Sequence, residues 1–283
     1  MNLAAEVDRI RNDRQHGAFQ LTGMALELLA RTALWDSSGS IQEFMAVMAT
    51  VAETLAHCRP GMASISNAMN IYIKKLHEQA GAYDDLPALR QAAVRLCDDG
   101  LQEMERARFK VLEAGVRLIS ADMTVLTSSF SSAILACLLQ AWREGKHYTL
   151  LAAESRSPVQ NIAYGEYLAR QLASSHIPCR VFPDASIQDF ITRADMVLLG
   201  ADAILPDGSL VNGHPSLAVA KAGLAINIPV YVLCETLKFS SNNIPVPEEG
   251  LDIIPGIYLT GIITEKGLVK PDDAQLFLEQ AGK

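Results

Sequence analysis

The sequence predicts an N-terminal helical domain over residues 1–115, followed by a doubly wound parallel-sheet α/β domain over 116–283. Three observations carry this reading. Apolar residues in the first part recur at helical spacing. From Gly115 onward, apolar runs too short for helices alternate with helical segments. Those runs are apolar at consecutive positions, the pattern of parallel strands covered on both faces.

In chain order, Leu21, Met24, Ala25, Leu28 and Leu29 share one helix face. After the turn Asp36-Ser37-Ser38-Gly39-Ser40, the stripe Ile41, Phe44, Met45, Met48, Ala52 and Leu55 repeats it, with Ser40 placed to cap. Ile65, Met69, Tyr72 and Leu76 form a third stripe. A longer helix is expected from Leu86 or Pro87 towards Gly115, with a break at Asp98-Asp99-Gly100. Strands are expected over 124–126, 148–152, 179–182, 196–199, 230–233 and 257–263, and helices over 131–142, 161–173, 187–193 and 216–226. Ligands bind such sheets at the carboxyl ends of the strands. That points to residues 127–132, 153–158, 200–212 and 234–239. Residues 240–250, SSNNIPVPEEG, read as a polar loop near the site.

With 283 residues the chain can bury a large core. A net charge of −8 argues against a general nucleic-acid binder, although a few arginines can still build one anion pocket. The five cysteines, Cys58, Cys97, Cys137, Cys179 and Cys234, show no CxxC spacing. They read as small apolar residues in a reduced compartment, and neither a metal nor a cofactor is expected. The charged, amphipathic first residues do not form a signal peptide, and no apolar run approaches the ~20 residues of a membrane span. A soluble cytoplasmic protein is expected, without membrane or direct nucleic-acid partners.

The stretch 194–212, ADMVLLGADAILPDGSLVN, delivers a carboxylate, Asp202, to the end of a buried strand. Pro206-Asp207-Gly208-Ser209 then turns the backbone so that Asn212 returns towards it. An ordinary turn Asp at a strand end explains Asp202 equally well on these residues alone. Thr127-Ser128-Ser129-Phe130-Ser131-Ser132 enters a helix, where exposed amides and hydroxyls suit a phosphate; a Ser-rich N-cap is the bland alternative. Arg156, in Glu154-Ser155-Arg156-Ser157-Pro158, can grip a phosphate bidentately or pair with Glu154. Arg59 sits on the rigid turn Arg59-Pro60-Gly61, and Lys238 stands at another strand end. GxGxxG, GxxxxGK[ST] and GxSxG signatures are missing from the chain.

Taken in order, these segments resemble the initiation factor 2B alpha/beta/delta family, whose superfamily includes sugar-phosphate isomerases. The resemblance runs from Asp13-Arg14-Gln15-His16-Gly17-Ala18 through Arg59-Pro60-Gly61-Met62-Ala63, Asn67, 127–132 and Glu154-Ser155-Arg156. It is most specific at Leu198-Leu199-Gly200-Ala201-Asp202-Ala203 with Val211-Asn212, and at Glu235-Thr236-Leu237-Lys238-Phe239. It implies a Rossmann-like C-terminal domain that binds ligand and dimerises. The isomerases shift a sugar carbonyl from C1 to C2, which needs an acid–base group near the carbon and cations for the phosphates.

Carried over residue by residue, the resemblance makes Asp202 and Ser129 the catalytic pair. Arg59, Arg156, Gly17, Ala18, Thr127, Ser128, Ser131, Gln160, Asn212 and Lys238 become ligand-binding. The departures bear on function. Ser129 stands where the isomerases carry a Cys, and a hydroxyl without an adjacent base is a poor acid–base group near neutrality. His16 replaces an Arg, and Gly213 replaces the Lys expected after Asn212. The leading expectation is therefore an initiation-factor-2B-like homodimer that binds a phosphorylated sugar or nucleotide monophosphate in a regulatory or assembly role. The alternative is an aldose–ketose isomerase of a ribose-phosphate derivative, of the ribose 1,5-bisphosphate or methylthioribose 1-phosphate type. In that reading Ser129, His16 or His214 stands in for the missing groups.

Overall fold

Helices fill the first of two units, Met1–Arg106 and Ala107–Lys283; the computed structural model describes residues 2–13, 16–157, 162–242 and 249–281. The first unit holds α1 (Leu3–Asn12), α2 (Ala18–Trp35), α3 (Ile41–Ala56), α4 (Ala63–Ala80) and most of α5 (Leu86–Leu118). Ser40 caps α3, its Oγ accepting from Glu43 N at 3.2 Å. The predicted apolar stripes become the core: Leu21, Leu28, Leu29, Phe44, Met48, Leu55, Ile65, Met69 and Leu76 are buried. Each such burial contributes about 1.5–3 kcal/mol.

The expected break at Asp98-Asp99-Gly100 does not occur, and α5 runs through it. Asp98 and Asp99 lie on its exposed face. A Cβ on Gly100 would fall 3.3 Å from Leu26 Cδ1, so the glycine admits close packing of Leu26. Tertiary contact here outweighs the weak helix propensity of the triplet.

The second unit is built on a seven-stranded sheet. Its strands are β1 (Thr124–Thr127), β2 (Thr149–Ala153), β3 (Cys179–Phe182) and β4 (Met196–Leu199), followed later in the chain by β7 (Val230–Leu233), β9 (Gly261–Thr264) and β10 (Gly267–Val269). Between them lie β5 (Ala203–Ile204), β6 (Leu210–Gly213) and β8 (Leu251–Ile254), which form a separate antiparallel sheet in the order β5-β6-β8. The large sheet runs β10-β9-β7-β4-β1-β2-β3 and is parallel except for β10. Its helices are α6 (Ser132–Arg143), α7 (Tyr164–Ala173), α8 (Ile187–Ile191), α9 (Ser216–Ala225) and α10 (Ala274–Ala281).

Strand alternation divides the core between two faces. Met196 and Leu198 pack with Val111, Ile134, Leu138 and Leu168, from α5, α6 and α7. Val197 and Leu199 pack with Phe190, Ile191 and Val219, from α8 and α9. The sheet is thus buried on both sides, as the uninterrupted apolar runs require. From β1 the chain winds outward through β2 and β3, then returns to place β4 on the other side of β1. The crevice between the ends of β1 and β4 is the topological switch point, where such sheets bind ligands.

One strand expectation and one helix expectation change. Of the run 257–263 only the residues from Gly261 onward pair with β7, beginning at Tyr231↔Gly261, while Gly256–Tyr258 forms a 3₁₀ turn. The expected helix over 187–193 ends at Ile191. The hairpin from β5 to β6 follows the predicted turn, with Leu205 N bonding Ser209 O at 2.8 Å. At its tip Gly208 has φ +79°, and a Cβ there would fall 2.2 Å from Pro271 O, so the tip is packed against that segment. Among the described residues no helix is long and apolar enough to cross a membrane.

Candidate functional site

Loops from four strand ends converge at the switch point of the second unit. The loop after β1 is held first by Thr127, whose Oγ1 donates to Leu198 O in β4 at 2.7 Å. Ser128 Oγ lies 2.9 Å from Ser216 Oγ, which also accepts from Asn212 Nδ2 at 2.9 Å and donates to Gly213 O at 2.6 Å. These hydroxyls and the amide are buried and spend their bonding on one another. Ser131 caps α6, with Oγ accepting from Ile134 N at 3.4 Å, and it packs directly on Gly200. A Cβ on Gly200 would fall 2.4 Å from Ser131 Oγ.

Ser129 holds φ +62°, in the left-handed region that a side chain rarely adopts. Its N–H donates to Ser155 Oγ at 2.7 Å, and Ser155 is itself left-handed at φ +50°. Ser129 Oγ has no hydrogen-bond partner among the described residues. It presses instead on Gly213: a Cβ there would lie 2.1 Å from Ser129 Oγ and 2.9 Å from its Cβ. The two departures noted in the sequence, at 129 and 213, are therefore in contact. Gly213→Ala is expected to destabilise the protein by about 1–3 kcal/mol in urea unfolding. Ser129→Gly, which removes both the clashing atoms and the left-handed strain, should restore most of that loss. Additive effects of the two changes would show that the contact does not matter.

Asp202 follows the end of β4. Its N–H donates to Val211 O at 2.9 Å, so it is rooted where the large sheet ends and the β5–β6 hairpin begins. Because β6 passes Asp202 at Val211 and Ser129 at Gly213, the two proposed catalytic residues stand along one strand.

Beyond β7, Lys238 Nζ approaches Glu235 Oε2 at 2.8 Å, with the two side chains only 7% and 5% exposed. Neither Glu235 carboxylate oxygen has a hydrogen bond of good geometry, so the contact is an ion pair, not an aligned hydrogen bond. Burial opposes the Lys238 charge, but Glu235, Cys234 and Asp202 outweigh it and hold its pKa above the ordinary value. Burial likewise pushes the Glu235 carboxyl up, yet Lys238 and the backbone bring it below the usual range. Burial keeps the Cys234 thiol protonated, with Glu235, Glu265 and Asp202 adding to the effect against Lys238. Asp202 and Lys238 thus share one electrostatic neighbourhood at the sheet's end.

Arg156 is half-exposed and pairs with Glu154, Nε donating to Oε1 at 2.9 Å. Of the two possibilities left open by the sequence, the structure contains the ion pair. His214 Nδ1 sits 3.2 Å from Asp252 Oδ1, and Asp252 is the cross-strand neighbour of Asn212.

In the first unit, Arg59 is buried with Nη1 donating to Asp13 O at 2.7 Å. His16 bonds the Asp13 carboxylate through its backbone N at 2.9 Å and Nδ1 at 2.8 Å. Gly17 and Ala18 open α2 beside this cluster, with Gly17 N donating to Gln20 Oε1 at 3.1 Å. Gln160 lies outside the described residues. Among the described residues no group of His, Cys, Asp and Glu could hold a metal ion.

Two residues of the second unit stand at this site without having been singled out as candidates in the sequence. Glu235 opens the stretch Glu235-Thr236-Leu237-Lys238-Phe239, whose sequence does not reveal that its carboxylate is buried. Asp184 sits in no motif; its carboxylate accepts from Ser155 N at 2.8 Å and from Arg156 N at 3.2 Å.

Residues 14–249 match the model of the initiation factor 2 subunit family. The chain is 28% identical to a ribose 1,5-bisphosphate isomerase of Archaeoglobus fulgidus, over 96% of this chain and 91% of that one. It is 33% identical to a putative translation initiation factor eIF-2B subunit 2-like protein of Pyrococcus horikoshii, over 60% of this chain and 66% of that one. Its fold is similar to the crystal structure of the Pyrococcus horikoshii translation initiation factor eIF-2B, with a TM-score of 0.80, 26% identity, and coverage of 95% and 97% of the two chains.

Proposed function

Because this chain belongs to the initiation factor 2 subunit family, we propose that it is an aldose–ketose isomerase of a phosphorylated ribose derivative. The reading draws on the isomerase similarity, which extends over nearly the whole chain. The observation that carries it is the placement of Asp202, rooted by Val211 at the switch point and sharing its surroundings with the buried Lys238–Glu235 pair. A relative of comparable length bearing that name favours turnover over the binding role that the sequence alone puts first.

In the reaction the C1–O4 ring bond breaks, the C2 hydrogen moves to C1, and the proton lost from the O2 hydroxyl is matched by one gained at O4, which leaves a ketone at C2 with phosphate still on O1 and no net gain or loss of electrons. Asp202 takes the C2 proton and returns it at C1. The Lys238 ammonium stabilises the negative charge that develops on the sugar oxygens between the two transfers. Phosphate is held by amides of the 127–131 loop other than that of Ser129, which is given to Ser155, and by Arg156, whose pairing with Glu154 then yields to the ligand. Thr127, Ser128, Ser131 and Asn212 frame the site in this proposal. The working assembly is a cytoplasmic homodimer formed through the C-terminal unit.

One observation favours a second reading. Among the described residues Ser129 Oγ makes no hydrogen bond, and it is pressed against Gly213, which suits a site that binds a sugar phosphate or nucleotide monophosphate without converting it.

Incubation with ribose 1,5-bisphosphate or methylthioribose 1-phosphate, followed by ¹³C NMR, separates the two. A ketone carbon at C2 is the expected result. Saturable binding by calorimetry without a ketone would replace the isomerase with the binding reading. Neither turnover nor binding would sink both.

A further inference from the structure

We propose that Asp184 is a positioning residue, the outer end of a hydrogen-bonded relay that sets the shape of the switch-point loop. Asp184 begins a 3₁₀ turn after β3, at the edge of the large sheet. Its Oδ1 accepts from Ser155 N at 2.8 Å and its Oδ2 from Arg156 N at 3.2 Å. A carboxylate that receives two successive amides fills the anion nest those amides would otherwise offer to a ligand. The Ser155–Arg156 backbone amides are thus occupied.

The relay continues inward from Ser155. Held by Asp184, Ser155 stays in the left-handed region at φ +50°, and its Oγ accepts from Ser129 N at 2.7 Å while donating to Ala153 O at 3.2 Å. Ser129 is then fixed at φ +62° with its side chain against Gly213. Three consecutive strand ends, after β3, β2 and β1, are joined in one line. Two unfavourable backbone conformations in that line persist only where their surroundings over-determine them. Asp184 supplies that constraint from outside the site, acting through Ser155 and not on the ligand.

The kinetic half of the test rests on the isomerase reading; the structural half does not. Amide hydrogen exchange of the full chain is measured for the wild type, Asp184→Asn, Asp184→Ala and Ser155→Ala. Asp184→Asn retains an acceptor for Ser155 N and loses the one for Arg156 N. Exchange at Ser129 is expected to rise about tenfold or more in Asp184→Ala and Ser155→Ala, and less in Asp184→Asn, with the helices unchanged. With ribose 1,5-bisphosphate, KM should rise in the same order while kcat stays within about twofold. Unchanged exchange at Ser129, or a uniform rise across the unit, overturns the relay. A wild type without turnover refutes the isomerase instead, and the exchange pattern then decides the positioning role alone.

Discussion

Asp202→Asn is expected to lower kcat by about 10²- to 10⁴-fold, the usual worth of a positioned acid–base group. The amide is isosteric with the carboxylate but cannot take a proton. The bond that roots the residue runs from its backbone N–H to Val211 O and is untouched by the change. Folding should therefore survive, and a circular-dichroism melt within about 2 °C of wild type, a shift of under 1 kcal/mol, would confirm it. Steady-state kinetics decide the role. A fall in kcat at constant KM assigns Asp202 to proton transfer. A rise in KM at constant kcat would mean that it holds a sugar hydroxyl.

The second large effect concerns Lys238 and Glu235. Lys238→Met should destabilise the fold by about 3–5 kcal/mol, because it leaves a buried carboxylate without its partner. For a chain of this size that corresponds to a drop in Tm on the order of 10 °C. The double change Lys238→Met/Glu235→Leu should recover most of the loss, since an apolar pair removes both desolvation costs together. A single-variant loss below about 1 kcal/mol would place the pair in solvent and contradict its burial.

The pH dependence follows from the directions of the two shifts. Glu235 is lowered in the folded state, so its contribution is present above the ordinary carboxyl range and is lost as pH falls through its depressed value. Lys238 is raised, so its contribution is present below the ordinary lysine value and is lost as pH rises through the elevated one. Stability from the pair is flat across neutrality and falls at both extremes. In the double variant the acid limb of a stability–pH curve should be shallower.

How much of this was readable depended on what each segment packs against. Strands β3, β4 and β7 appear with the boundaries the apolar runs predicted, because a buried parallel strand is marked by its own composition. Strand β8 was invisible: Leu251-Asp252-Ile253-Ile254 earns its conformation from pairing with β6, and the adjacent polar loop masks it. The break expected at Asp98-Asp99-Gly100 failed for the opposite reason, because Leu26 packs where the glycine leaves room.

At the site, sequence order brought Asp202 and Ser129 to attention, and the structure stands them along one strand. It could not reveal that Ser129 lies against Gly213, nor that Asp184 reaches across from β3. Those are contacts between distant segments, and no spacing rule encodes them.

The hairpin rooted at Asp202 has one more consequence. It behaves as a cantilever: the root carries the carboxylate, and the tip at Gly208 is braced by Pro271. That brace lies beyond residue 249, where the family match ends. The residues that would act on a ligand and the residue that stiffens their mounting therefore belong to different parts of the chain. Changes near Asp202 alter which atoms meet the ligand. The Pro271 backbone fixes the tip of the hairpin from outside the site.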